Sequence, residues 1–148
     1  MTLPDDFREF LLCLNARKVR FLVVGGHAVS FHGYPRFTHD VDVVVLPDQE
    51  NVAALLGALA DFGFAEVALR PSDFLEATTV VLGHPPDQID IMTFIKGVEL
   101  ADAWERREPG RLDGVDVAFI SRQDLIANKL AVGRPEDLAD VARLDDER

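Results

Sequence analysis

Cysteine is nearly missing from this 148-residue chain. Cys13 stands alone, which excludes an intrachain disulfide framework and any zinc site built from several cysteines. It lies within Phe10-Leu11-Leu12-Cys13-Leu14 and reads as a small buried hydrophobe. Basic charge is scarce too. Fifteen Lys and Arg face 26 Asp and Glu, a net charge of −11, whereas a protein that coats nucleic acid or an anionic membrane needs a basic face. Broad nucleic-acid binding is therefore not expected, and cations, or ligands that arrive with cations, are the easier partners. No apolar run approaches the ~20 residues of a membrane span. Asp5, Asp6 and Glu9 interrupt the start, where a targeting signal needs an unbroken apolar stretch. A soluble cytoplasmic protein with no membrane partner is expected. The remaining composition, 48% hydrophobic and 28% charged, argues against disorder. The length suits one domain over residues 1–148 with a core that needs no staples.

Hydrophobic periodicity outlines the elements. Residues 4–17 predict an amphipathic helix, with Phe7, Phe10, Leu11 and Leu14 at i, i+3, i+4 and i+7. A short strand over 20–24 ends in Gly25-Gly26, and 27–32 predict a short helix stopped by Gly33 and Pro35. Residues 40–46, DVDVVVL, predict a strand buried on both faces. Asp48 then caps a helix carrying Val52, Leu55, Leu56, Leu59 and Phe62. Strands are expected over 64–69, 78–82 and 88–93, the last two as an antiparallel hairpin around the Pro-rich 83–87 turn. A helix over 100–107, a strand over 115–120, a Ser121-capped helix to Val132 and a last helix over 136–144 follow. This mixed order with short connections predicts an α/β (α+β) fold, a small twisted mixed sheet flanked by helices.

The chemistry concentrates between Phe21 and Val45. Asp40 and Asp42 are two apart in an otherwise valine-rich strand, so their side chains leave one face roughly 7 Å apart. Like charges at that spacing repel and are costly to bury unless a cation compensates, and paired oxygens suit Mg²⁺. A solvated edge strand would produce the same pattern. Gly25-Gly26, between strand and helix, leaves backbone N–H groups free for phosphate oxygens. Thirteen residues separate that pair from Asp40. Asp90 interrupts the apolar run Ile89-Asp90-Ile91 and is the third carboxylate a transfer site needs, whereas Asp87 reads as turn chemistry. Arg36 and Thr38 precede the Asp pair, Arg36 suited to phosphate and Thr38 to bracing the loop, although both fit ordinary loop surface. Lys129 projects from an apolar helical stripe, which fits a snorkelling side chain equally well. Asp137 fits a dipole-complementing acid of the last helix, and Asp140 reads as structural. Arg106, Arg107 and Arg111 read as a solvated face and are also the one basic cluster available to dock an acceptor, Trp104 reads as a core anchor, and the four histidines lack zinc-ligand spacing.

Together, Gly25-Gly26, Asp40-Val41-Asp42 and Asp90 resemble the nucleotidyltransferase fold superfamily, the DNA-polymerase-β-like group. The runs from His32 to Asp42 and from Lys129 through Gly133-Arg134-Pro135-Glu136-Asp137-Leu138-Ala139-Asp140 resemble its AbiEii-type toxin branch of minimal nucleotidyltransferases. The resemblance implies transfer of a nucleoside monophosphate from an NTP to a hydroxyl acceptor, RNA or protein, in a toxin–antitoxin or phage-defence pair with an antitoxin partner. It implies a two-metal Mg²⁺ site, with Mn²⁺ as an alternative, held by Asp40, Asp42 and Asp90. Gly25, Gly26, Arg36, Thr38, Lys129 and Asp137 would bind nucleotide, and Lys129 would also serve catalysis. Many relatives carry Ser where this chain has Gly26. Two rivals remain: transfer to a small antibiotic-type hydroxyl compound, and a catalytically weak nucleotide- or partner-binding module of the same fold.

Overall fold

A computed structural model describes residues 3–35, 38–64, 69–74, 77–84 and 87–146. Six α-helices and one six-stranded sheet are formed among them. The order is α1 (Asp5–Ala16), β1 (Phe21–Val24), α2 (Gly25–Phe31), β2 (Val41–Val45), α3 (Gln49–Leu59), β3 (Thr79–His84), β4 (Asp87–Met92), α4 (Leu100–Glu105), β5 (Glu108–Leu112), β6 (Val115–Phe119), α5 (Arg122–Val132) and α6 (Pro135–Asp146). A π-helical turn, Ala60–Phe64, extends α3, and Gly63 breaks it at φ 108°. Residues 65–68 of the strand expected over 64–69 lie outside the described residues.

The sheet is open and mixed, with strand order β3-β4-β2-β1-β6-β5. β1 runs antiparallel to β2 and parallel to β6, and β2 runs parallel to β4. The central strands are apolar because both faces are covered. Leu22, Val23, Val41, Val43, Val44 and Ile91 are fully buried. The apolar stripe of α1 packs Phe10, Leu11 and Leu14 into the same core. Asp48 caps α3 by accepting from the Asn51 amide at 3.0 Å, and Ser121 caps α5 by accepting from the Asp124 amide at 3.1 Å. Gly133, left-handed at φ 72°, ends α5 and turns the chain back so that α6 packs along it.

β5 is absent from the sequence expectation. Its Pro109 and Gly110 argue against a strand, but an edge strand tolerates proline. The signal that reveals it is Asp113-Gly114, a two-residue hairpin turn with φ 50° and 78° between paired Leu112 and Val115. Gly110 leaves room for Phe31 and Phe119, which stack at 4.0 Å between ring centroids.

Candidate active site

Strand register assembles the site. Val24, the last residue of β1, lies opposite Asp42 on β2, and Asp42 lies beside Asp90 on β4. Three neighbouring strands thus bring Gly25, Asp42 and Asp90 to one end of the sheet. Asp40 falls one residue-pair outward, in the connection before β2 rather than inside the strand as expected.

Gly25 adopts φ +67°, and a Cβ built on it would overlap Asp42 Oδ2. Only glycine keeps the backbone this close to the carboxylate. Gly26 has a different neighbour: a Cβ there would lie 2.9 Å from Thr38 Oγ1. Thr38 in turn donates to the Asp40 carbonyl at 3.4 Å, so it braces the loop that leads into the Asp pair. The absence of a Ser at position 26 therefore goes with a threonine hydroxyl delivered to the same spot from the loop. Arg36 lies outside the described residues.

Asp42 is pushed up to about 7. Burial is the leading cause, followed by a hydrogen bond with Asp90 and the charges of Asp90 and Asp40, while Lys129 acts in the opposite direction. Near neutral pH the Asp42 carboxyl is therefore protonated in part of the molecules. Gln88 Nε2 donates to Asp90 Oδ1 at 2.9 Å and fixes its orientation. The chemistry of this donor set fits a divalent cation: paired hard oxygens, strained by mutual repulsion, beside a glycine cradle. Among the described residues no three acidic or imidazole groups already stand in a ligand-like cluster. Asp42 and Asp90 form the close pair, and Asp40 contributes charge from its edge.

Lys129 is buried, with 7% of its surface exposed, and does not snorkel. Its Nζ lies 2.9 Å from Asp140 Oδ2 and 3.5 Å from Asp137 Oδ1. Asp140 is thus the nearer partner, and the structural role expected for it takes the form of a direct hold on the ammonium. Asp137 also accepts from Arg134 Nε at 2.8 Å. Burial raises the Asp137 carboxyl, but the Arg134 hydrogen bond and the Lys129 and Arg134 charges outweigh it and hold the group below its usual range. Gly25, Asp42, Lys129, Arg134 and Asp137 all line one cleft of about 420 Å³ between the sheet and the α5–α6 pair. The sequence reading names Arg134 only within the run that carries the resemblance and gives it no role; its bond to Asp137 and its place in the cleft supply one.

Two arginines of the basic cluster are paired with acids. Arg106 holds Asp124 with two bonds of 2.9 and 3.0 Å, and Arg111 bonds Asp116 at 3.0 Å. Arg107 lies over the Trp104 ring at 4.0 Å. His39 Nδ1 sits 3.2 Å from Asp87 Oδ1, which places Asp87 outside the carboxylate pair. No helix among the described residues is long and apolar enough to cross a membrane.

The chain is similar in fold to a Thermotoga maritima protein described as a candidate nucleotidyltransferase. The two share 16% identity over 99% of this chain and 97% of that one, with a TM-score of 0.60. It is similar also to ANT(2″)-Ia, solved in complex with adenylyl-2″-tobramycin. There the identity is 15% over 93% of this chain and 84% of that one, with a TM-score of 0.54. No curated protein matches in sequence. A family model matches residues 2–145, almost the whole chain, and the protein accordingly belongs to the family described as "Nucleotidyltransferase of unknown function (DUF6036)".

Proposed function

We propose that this nucleotidyltransferase is Mg²⁺-dependent and transfers a nucleoside monophosphate from an NTP to a hydroxyl group of a macromolecule. The observation that carries the reading is the Asp42 carboxyl, hydrogen-bonded to Asp90 and packed against the backbone of Gly25, in the cleft that also holds Lys129. Asp42 and Asp90, with Asp40 alongside, would hold Mg²⁺ (or Mn²⁺), which supplies positive charge against the triphosphate and the attacking oxygen. The backbone at Gly25 and Gly26 receives phosphate oxygens, with the Thr38 hydroxyl beside them. Lys129, oriented by Asp137 and Asp140, directs its ammonium toward negative charge in the cleft. In the reaction the acceptor oxygen bonds to the α-phosphorus and the α–β bridging bond breaks. Pyrophosphate leaves, and the acceptor proton passes to Asp90 or to solvent.

The acceptor is RNA or protein in this reading, and the biological setting is a toxin-like role with an antitoxin partner in the cytoplasm. The net charge of −11 and the paired state of Arg106 and Arg111 favour a protein acceptor over broad RNA contact. The same acidity favours the second reading, transfer to a small cationic hydroxyl compound, which the fold shared with an enzyme solved with adenylyl-2″-tobramycin also supports. Incubation with labelled NTP, Mg²⁺ and separate pools of RNA, protein and aminoglycosides tells these apart. Label in the protein or RNA pool supports the first reading, and label in the aminoglycoside pool alone replaces it with the second.

A further inference from the structure

Beyond its charged groups the cleft carries a run of apolar lining, Met92, Phe94 and Ile95, bordered by Lys96 and Asn128. Met92 follows Asp90 by two residues on β4 and shares its face, roughly 7 Å further along the strand. Phe94 comes next and keeps 54% of its surface exposed, whereas Phe7, Phe10, Phe21, Phe74 and Phe119 are all buried. Met92, Phe94, Ile95 and Leu125 line the same cleft as Asp42 and Lys129. A lone exposed aromatic needs no explanation; one that continues the wall of a charged cleft has a ligand-sized space in front of it. Asn128 ties this lining together, because its Nδ2 donates to the Lys96 carbonyl at 3.0 Å. That bond leaves Oδ1 as the acceptor end of the Asn128 amide.

We infer that this apolar lining is the nucleobase subsite, with Phe94 as its stacking face and the Asn128 amide as its polar contact. The inference rests on the nucleotidyl-transfer reading. If the triphosphate lies at Gly25 and Lys129, the apolar lining left in the cleft for the nucleoside includes Met92, Phe94 and Ile95. An aromatic face accepts any base, and the thioether of Met92 adapts to its outline. The cleft volume of about 420 Å³ falls within the range of small-ligand pockets.

Calorimetric titration with Mg²⁺ present separates the two parts of the cleft, using NTP and inorganic tripolyphosphate as paired probes. Wild-type protein is expected to bind NTP more tightly than tripolyphosphate. Phe94→Ala is expected to weaken NTP binding by about 5- to 100-fold while leaving tripolyphosphate binding unchanged. Unchanged tripolyphosphate binding also shows that the variant is folded, and Phe94→Tyr is expected to restore NTP affinity. Phe94→Ala binding NTP as tightly as wild type would overturn the subsite, as would equal losses for both probes. Wild-type protein that binds tripolyphosphate but gains nothing from the nucleoside overturns the subsite and leaves the phosphate end standing. Wild-type protein that binds neither probe overturns both.

Discussion

Replacing Asp42 by Asn should make the metal-free protein more stable, and the gain should depend on pH. In the folded protein the Asp42 carboxyl is raised from its ordinary 3.8 to about 7, first by burial and then by Asp90 and Asp40. A folded-state pKa above the unfolded one means that the native state holds a proton the unfolded chain releases. Stability from this group is therefore fully present below about pH 4 and is lost as pH rises through about 7. The gap of about three pH units corresponds to at most ~4 kcal/mol between the neutral and charged forms. Asparagine keeps the shape and can donate to Asp90, so it removes that cost. At pH 8 Asp42→Asn should raise Tm by roughly 5–15 °C for a domain of this size. Near pH 4.5 most of that difference should be gone. Differential scanning calorimetry in chelator, from pH 4.5 to 8.5, makes the comparison. A Tm difference that is constant with pH, or a variant less stable at pH 8, would refute the geometry of the carboxyl pair.

Other outcomes follow from the same site. Mg²⁺ affinity of the wild type should rise between pH 6 and 8 and its binding should release protons, seen as a buffer-dependent heat in calorimetry, because the cation must displace the proton on Asp42. Asp140→Ala leaves the buried Lys129 with the longer contact to Asp137 alone, and should cost about 3–5 kcal/mol in urea unfolding. Gly25→Ala meets both a left-handed backbone and the Asp42 carboxylate; it should lose about 1–3 kcal/mol and abolish NTP binding, measured by melting and titration. Arg111→Ala breaks a fully surface-exposed pair and should change stability by less than about 1 kcal/mol in the same unfolding assay.

The Asp42–Asp90 pair was legible because each acid interrupts a run of β-branched residues that has no structural use for a charge. Neither position says which strands are neighbours. The parallel register of β2 and β4 does that, and it turns two separate anomalies into one hydrogen-bonded pair. The partners of Lys129 were less legible. Asp137 and Asp140 lie on the next helix, and whether either reaches the ammonium depends on the angle at which Gly133 folds α6 back on α5. One turn of helix separates the two acids, and the nearer proved to be Asp140. The arginine partners were equally hidden: the residues lie close in sequence, yet Arg106 goes to Asp124 and Arg111 across the β5–β6 hairpin to Asp116. The same hairpin hid β5, since Pro109 and Gly110 are tolerated there only because the strand is at the edge.

The central claim, that Asp42 and Asp90 serve nucleotidyl transfer from an NTP, is tested most directly by following the two ends of the nucleotide separately. With Mg²⁺ and acceptor, label on the α-phosphate should enter the acceptor, and label on the γ-phosphate should leave as pyrophosphate in equal amount. Both signals should vanish in Asp42→Ala and persist in Arg111→Ala. Transfer of α-label that continues undiminished in Asp42→Ala, or γ-label that ends in the acceptor, would contradict the account.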